Sequence, residues 1–530
     1  MGIINKTLCD FSNQKVSRRK FMQAGSALGI ASAAPGLLVG SAAQAAMPVK
    51  GGHLSVAMPH GSSSDSTDPI QLISGHSIMM FYSIHNTLTE VTPDGQLVPL
   101  LAESYEPGAD PTEWIFKLRS GVTFHNGKSV TSDDVITSIG RHIGEDSASS
   151  MKAFIENVDS ITKDGDLVVK FKLKEGNVDF PVILSDSVLS ILPSKDGAIE
   201  AFDVGCGVYR LVEFQPGQYS KYERYADHYK TDRGFLDTAE LLTIADATAR
   251  QNALITGEVD VVGDVDRATA ERLGATADID ILNVQSPKHY TFPMRVDLPP
   301  FDNNHVRMAL KLSIDREAVL ETILSGYGSL GNDQPISPNN RYFNHELEQR
   351  VYDPEKAKWH LKQAGLDSLE VELSAADNLY KGATDTAVLY SEHAKASGIN
   401  IIPNQVPDDG YWKDVWLQHP WCASYWSGRP TEDWMFTQAY SGSSNWNETY
   451  WKNERFDELL VAAKSELDEN KRRQMYWEMQ ALVRDDGGAV IASFANHVSG
   501  VSSRAGIPEV VAGNWNYDGY KLIERWWNKS

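Results

Sequence analysis

The chain has 530 residues, 42% of them hydrophobic and 23% charged, with a formal net charge of -22. So acidic a surface disfavours nucleic acid and anionic membrane as partners, though it says nothing about fold. Three cysteines are too few for a disulfide framework.

The N-terminus reads as an export leader. Ser17-Arg18-Arg19-Lys20-Phe21-Met22 has the twin-arginine pattern, and no charged residue follows until Lys50. The intervening segment is rich in Ala, Gly and Ser, which makes a poor membrane anchor. Ala43-Gln44-Ala45 supplies a small-x-small cleavage pattern, so residues 1–45 are read as a signal peptide and the mature chain begins near Ala46. Removing the leader takes five cations and Asp10 with it and moves the net charge to about -26. Cys9 goes too. Cys206 and Cys422 remain, with two buried thiols as the default and one bridge allowed by an oxidising compartment.

In the mature chain, a first strand over 50–57 precedes the turn-rich Gly61-Ser62-Ser63-Ser64-Asp65-Ser66-Thr67-Asp68-Pro69. A helical run over 78–86 follows. Residues 114–119 alternate apolar and polar, the pattern of a strand with one buried face. Thr131-Ser132-Asp133-Asp134 is a helix start, with hydroxyls to cap it and acids at its positive end. The paired glycines of Gly205-Cys206-Gly207 permit a tight backbone at a crossing between domains. Phe456, Leu459, Leu460, Ala463 and Leu467, and then Met475, Met479, Leu482 and Val483, fall at helical spacing and read as core.

The segment 421–456 holds ten aromatic residues, including five of the 13 tryptophans. Their spacing fits neither strand nor helix, and Ser427-Gly428, Pro430 and Ser441-Gly442-Ser443-Ser444 interrupt them. Rings on irregular backbone, mixed with Arg429, Glu432, Asp433 and Asn445, suit the wall of a small-molecule site. Tyr425, Trp426, Trp434 and Trp446 are expected to stack on a ligand or cage a methylated ammonium; Tyr411 and Trp412 are outlying candidates.

Ala102-Glu103-Ser104-Tyr105, the run from Trp114-Ile115-Phe116 to His125-Asn126-Gly127-Lys128, and Thr131-Ser132-Asp133-Asp134-Val135 together resemble the signature of the family 5 extracellular solute-binding proteins. These are the peptide- and nickel-binding components of ABC importers. Gly205-Cys206-Gly207-Val208-Tyr209, Gly257-Glu258-Val259-Asp260, Pro300-Phe301-Asp302-Asn303, Ile314-Asp315-Arg316 and Tyr352-Asp353-Pro354-Glu355 extend the resemblance over nearly the whole mature chain. It implies an α/β type II periplasmic binding fold (cluster C, a Venus flytrap): two lobes with a subdomain inserted in the first. Lobe I would take 46–87, 203–293 and 497–530, the inserted subdomain 88–202, and lobe II 294–496. It further implies a periplasmic monomer with no cofactor or metal, which is no enzyme and hands a small solute to permease subunits. Peptides, opine-like conjugates, saccharides and small acidic metabolites fit such clefts.

In peptide-binding members a Trp-x-x-Asp arrangement sets an aspartate against the ligand's ammonium group. The matching residues here are Trp426-Ser427-Gly428-Arg429. A cation there is repulsive to an ammonium and suits a carboxylate, phosphate or polyol. Glu432 or Asp433 could still meet a cation, or could pair with Arg429. Ser74, Gly75 and His76 correspond to a lobe I segment near the ligand in the family. A nickel or metallophore carrier is the rival within the same fold, although His76, His85 and His289 lack close ligand spacing. A secreted hydrolase would need a motif such as Gly-x-Ser-x-Gly or His-Glu-x-x-His, and the sequence has neither.

If the leader directs twin-arginine export, Arg18→Lys combined with Arg19→Lys leaves unprocessed precursor in the cytoplasm, as cell fractionation would show. Normal accumulation of mature protein outside the cytoplasm would refute that route.

Overall fold

Strand His53–Met58 is buried at every position after His53. It sits inside a seven-stranded sheet, flanked in parallel by Thr238–Thr243 and Val261–Val262. A strand covered on both faces needs an apolar run rather than alternation, which Leu54, Val56, Ala57 and Met58 supply. Tyr219–Arg224 and Tyr209–Gln215 extend one side, and His497–Ser502 and Ile279–Val284 the other. The computed structural model describes residues 48–70, 74–144, 146–377 and 379–529; the leader read in residues 1–45 lies outside them.

Helices Gly75–Ile84, Ala247–Ile255 and Arg267–Gly274 pack on this sheet, and Ser74, Asp246 and Asp266 accept backbone N–H groups at their starts. Side-chain caps of this kind satisfy donors that the first helical turn leaves open. The helix start expected at Thr131 is present: helix Ser132–Gly140 begins there, and the Asp134 carboxylate accepts the Thr131 N–H at 2.9 Å. That helix covers an antiparallel sheet of Ala102–Pro107, Glu113–Leu118, Val168–Leu173 and Val158–Lys163. Trp114, Phe116, Leu118, Val169, Phe171 and Leu173 point into a separate core with Val135 and Ile139.

A third sheet joins Gly328–Leu330, Ala489–Ala495, His289–Pro293 and Ser424–Trp426 in that order. Beside it, Leu369–Ala375 pairs in parallel with Ile399–Gln405. Helices Glu454–Ser465 and Glu469–Asp486 bury the expected stripe of Phe456, Leu459, Leu460, Ala463, Met479 and Val483. Leu467 leaves that stripe: it lies past the end of its helix and is exposed.

The chain passes between the first and third sheets twice. Strand Ile279–Val284 leads through residues 285–288 to His289–Pro293, and Ala489–Ala495 leads through Asn496 alone to His497–Ser502. The crossings lie side by side: Ala495 N–H donates to Lys288 O at 2.8 Å, and Asn496 Nδ2 donates to Asn283 Oδ1 at 2.8 Å. Where the inserted segment rejoins the first lobe, a Cβ on Gly205 would lie 1.8 Å from Ile84 O, and one on Gly207 2.6 Å from Ser83 O. Only glycine allows that approach. Cys206 between them and Cys422 are both buried free thiols.

Glu90, at the entry to the inserted segment, is 2% exposed. Burial alone would raise its carboxyl, but Lys521, Arg233 and Lys230 outweigh burial and hold it far below the carboxylate range. The contacts are 3.2, 2.9 and 3.0 Å. One carboxylate thus fastens the inserted segment to the first lobe and to the C-terminal tail. A carboxyl depressed in this way contributes stability above its ordinary value near 4.5 and loses it as pH falls below that value. Glu90→Gln leaves Lys521 buried without its 3.2 Å partner. It also takes a carboxylate from Lys230 and from Arg233, which keeps Glu524 at 3.3 Å. A loss of about 3–5 kcal/mol at pH 7 is expected from denaturant unfolding. The variant's acid limb should be correspondingly flatter. A change under about 1 kcal/mol would contradict this role.

Candidate ligand cleft

Six of the ten aromatic residues in 421–456 belong to the core, among them Trp426, which is 4% exposed and so is not an open stacking face. Trp421 is 1% exposed, with its Nε1 donating to Phe292 O, and Phe436, Tyr440, Trp451 and Phe456 are likewise buried. Tyr425 and Trp426 lie on the edge strand Ser424–Trp426 of the third sheet, opposite Tyr290 and His289. From there rings in tilted or edge-to-face contact form a circuit that starts at Tyr425 and returns to Trp426. Tyr425 meets Trp412 at 5.8 Å, Trp412 meets Trp416 at 5.7 Å, Trp416 meets Trp446 at 5.8 Å, and Trp446 meets Trp426 at 6.0 Å.

Behind them sits the buried Glu448 carboxylate, which accepts Trp416 Nε1 at 2.7 Å and Trp426 Nε1 at 3.0 Å. Burial raises this carboxyl, against those hydrogen bonds. Trp412 and Trp446 each expose about half their surface (45% and 50%), so two members of the circuit present open faces. Tyr411 differs from its expected role: it is 1% exposed, and its hydroxyl donates to Ala423 O at 2.7 Å. Asn445 is exposed on the loop before Trp446.

Arg429 follows directly on Ser427-Gly428. Its Nε donates to Gln438 Oε1 at 2.7 Å, its Nη1 to Ser427 O and Gly428 O at 3.1 Å each, and its guanidinium lies 5.3 Å from the Trp426 ring. It pairs with neither Glu432 nor Asp433. Burial lowers its pKa to about 10, with no carboxylate to oppose that shift. Gln438, on helix Glu432–Ala439, orients the guanidinium without neutralising it.

Arg429 lines a cavity of about 430 Å³ with Gln285, Asn339, Arg341, Arg472 and Asn514. The other two arginines are compensated, Arg341 by Glu469 at 2.9 Å and the buried Arg472 by Asp179 at 2.5 Å. Asn514 Oδ1 is buried with no partner among the described residues.

Glu432 and Asp433 occupy the first turn of helix Glu432–Ala439, where the helix field favours carboxylates. Burial nonetheless wins. It raises Glu432 to about 7, with its oxygen accepting the Tyr342 N–H at 2.7 Å, and raises Asp433 to about 6 beside Lys464. Trp434 turns away from the other rings to meet Phe154 of the inserted segment at 3.9 Å.

In the first lobe, Ser74 and Ser77 hydrogen-bond to Asp65, and Gly75 faces the Tyr520 hydroxyl. His76 is 0% exposed with both ring nitrogens engaged, by Thr243 at 3.0 Å and Ser220 at 2.8 Å. Its side chain therefore builds the lobe. Trp416, Gln438, Glu448 and the amides lining the cavity went unnoticed in the sequence. Only the Trp-x-x-x-Trp spacing of Trp412 and Trp416 hinted at any of them.

Two lobes joined by paired crossings, with an extra sheet inserted in the first, define the type II periplasmic binding fold. Residues 96–448 match the bacterial extracellular solute-binding proteins, family 5 Middle, and the chain belongs to that family. It is the solute-binding component of an ABC importer. The chain is 26% identical to heme-binding protein A of Haemophilus influenzae, over 76% of this chain and 80% of that one. It is also 26% identical to the oligopeptide-binding protein AppA of Bacillus subtilis, over 81% and 83%. Among solved structures, HbpA2 from Haemophilus parasuis shares the fold with a TM-score of 0.79 at 19% identity, covering 90% of this chain and all of the other. The binding protein AgaA of A. tumefaciens, in complex with agropinic acid, does so at 0.72 and 22%, covering 90% and 99%.

Glu432 gives the cleft a pH signature. Its folded value near 7 exceeds the ordinary 4.5, so the folded state keeps a proton that the unfolded chain releases. Stability should therefore fall as pH rises from about 4.5 to about 7. Glu432→Gln retains an oxygen for the Tyr342 N–H and removes the titration. It should flatten that decline and gain on the order of 1–3 kcal/mol at pH 8, read from melting across pH. An unchanged slope would contradict the buried carboxyl.

Proposed function

We propose that the cavity beside Arg429 captures a small organic solute through an anionic or strongly accepting group, and that the mature protein does so as a periplasmic monomer after twin-arginine export. One observation carries this reading. Among the cavity's three arginines, only Arg429 has no carboxylate within ion-pair reach among the described residues. A half-buried guanidinium held by neutral oxygens keeps its charge available, and its planar fork suits a carboxylate or phosphate. The surrounding amides of Gln285, Asn339 and Asn514 add donors and acceptors for hydroxyl or peptide groups. An acidic peptide, an opine-like conjugate or a sugar acid meets these demands; a solute presenting only an ammonium group does not. Relatives named for heme, glutathione and peptides support solute capture in general and leave the choice to this cavity.

Arg429→Ala should weaken the co-purifying solute by about 2–5 kcal/mol, or roughly thirty-fold to several thousand-fold. Arg429→Lys should recover only part, because one ammonium cannot make the two-point contact. Calorimetric titration measures the loss, and melting of the ligand-free variants controls for folding. A destabilised ligand-free protein with near-normal affinity would mean that Arg429 supports the wall without touching solute.

A further inference from the structure

The inserted segment, fastened to the first lobe through Glu90, also reaches the second lobe. Asp179 Oδ2 meets Arg472 Nη2 at 2.5 Å, and the Val178 N–H donates to Lys464 O at 2.8 Å. Beside them Phe154 packs on Trp434, which joins the segment's own core. A Cβ on Gly176 would lie 3.4 Å from Ser465 Cβ. Each contact sets a residue of the inserted segment against one of the helices Glu432–Ala439, Glu454–Ser465 and Glu469–Asp486.

The second lobe holds Arg472 in place by itself. Arg472 Nε donates to Ala463 O at 2.9 Å and its Nη2 to Tyr476 Oη at 3.3 Å. Its guanidinium lies 5.5 Å from the Tyr342 ring and 5.4 Å from the Tyr476 ring, which stack on each other. All of these partners belong to the second lobe. Asp179 in turn makes no side-chain cap to the helix Phe180–Ile183 that follows it, so its carboxylate is spent on the other lobe.

Gln285 and Pro287 of the crossing line the same cavity as Asp179 and Arg472. Rocking about the crossing carries the inserted segment with the first lobe, and so parts Asp179 from Arg472. Desolvation offsets most of the attraction in a buried ion pair, and both groups regain water when the lobes separate. Such a contact holds and releases at modest net cost. We propose that the inserted subdomain is a clasp for the closed form, in which Asp179–Arg472 and the Val178–Lys464 backbone bond hold the second lobe against it without the help of any solute. The clasp biases the hinge on its own account and stands independently of what binds beside Arg429.

The Gly176–Ser465 approach supplies the test. Gly176→Cys with Ser465→Cys brings two thiols within bridging reach when the clasp is shut, since Cβ atoms about 3.5–4.5 Å apart suit a disulfide. Equilibrated against reduced and oxidised glutathione, the pair reports an effective thiol concentration that rises with the shut fraction. Cys206 and Cys422 are buried and stay out of the exchange. In mature protein freed of co-purified solute the bridge should form, and Arg472→Met added to that background should lower the effective concentration by about ten-fold or more. Asp179→Asn should do the same from the other side of the contact. Melting of the reduced proteins identifies a variant that loses its fold, and the other variant then decides. A pair that fails to bridge in a protein that melts normally would overturn the clasp, as would an effective concentration indifferent to both substitutions. No arm contains solute, so none of these results bears on capture beside Arg429.

Discussion

The paired crossings between the lobes constrain everything else in this molecule. Residues 285–288 run beside Asn496, tied by the Ala495–Lys288 backbone bond and the Asn496–Asn283 amide bond. A hinge of two adjacent strands lets the lobes rock while keeping their faces in register, the motion by which periplasmic binders close on ligand. The cavity beside Arg429 gathers around it, reached by Gln285 and Pro287.

Buried ion pairs hold the parts of the fold together. Glu90 gathers three cations and fastens the inserted segment, and Arg472 with Asp179 joins that segment to the second lobe. Arg429 has no such partner among the described residues. Burial dominates the local fields elsewhere too, since Glu432 is raised although it stands at a helix N-terminus.

Local chemistry was legible in the sequence. Thr131 with Asp134, the glycines flanking Cys206, and the helical stripe from Phe456 all form as their residue types dictate, because neighbours within a few residues determine them. The motifs from Ala102 to Glu355 carried the fold. The aromatic stretch was half legible: composition marked it as a whole, but it could not separate the exposed Trp446 from Trp421, Trp426 and Trp451, whose burial depends on sheet order. The partners of Arg429 were not legible. Pairing with Glu432 or Asp433 looked natural by proximity, yet both acids turn inward along their helix and leave Gln438 as the neighbour. His76 shows the same limit, since Thr243 and Ser220 lie far away in sequence. Lys288 and Tyr425, more than a hundred residues apart, meet only through strand pairing.

The central claim is a two-lobed protein that closes around a solute at this hinge. Small-angle scattering of the mature protein, with its co-purified solute and after the solute is stripped, tests it most directly. The account predicts a smaller radius of gyration in the bound form, accompanied by a higher melting temperature because ligand binds only the folded state. An unchanged radius with solute demonstrably bound would contradict closure, and recovery of the solute chemically altered would contradict a purely binding role.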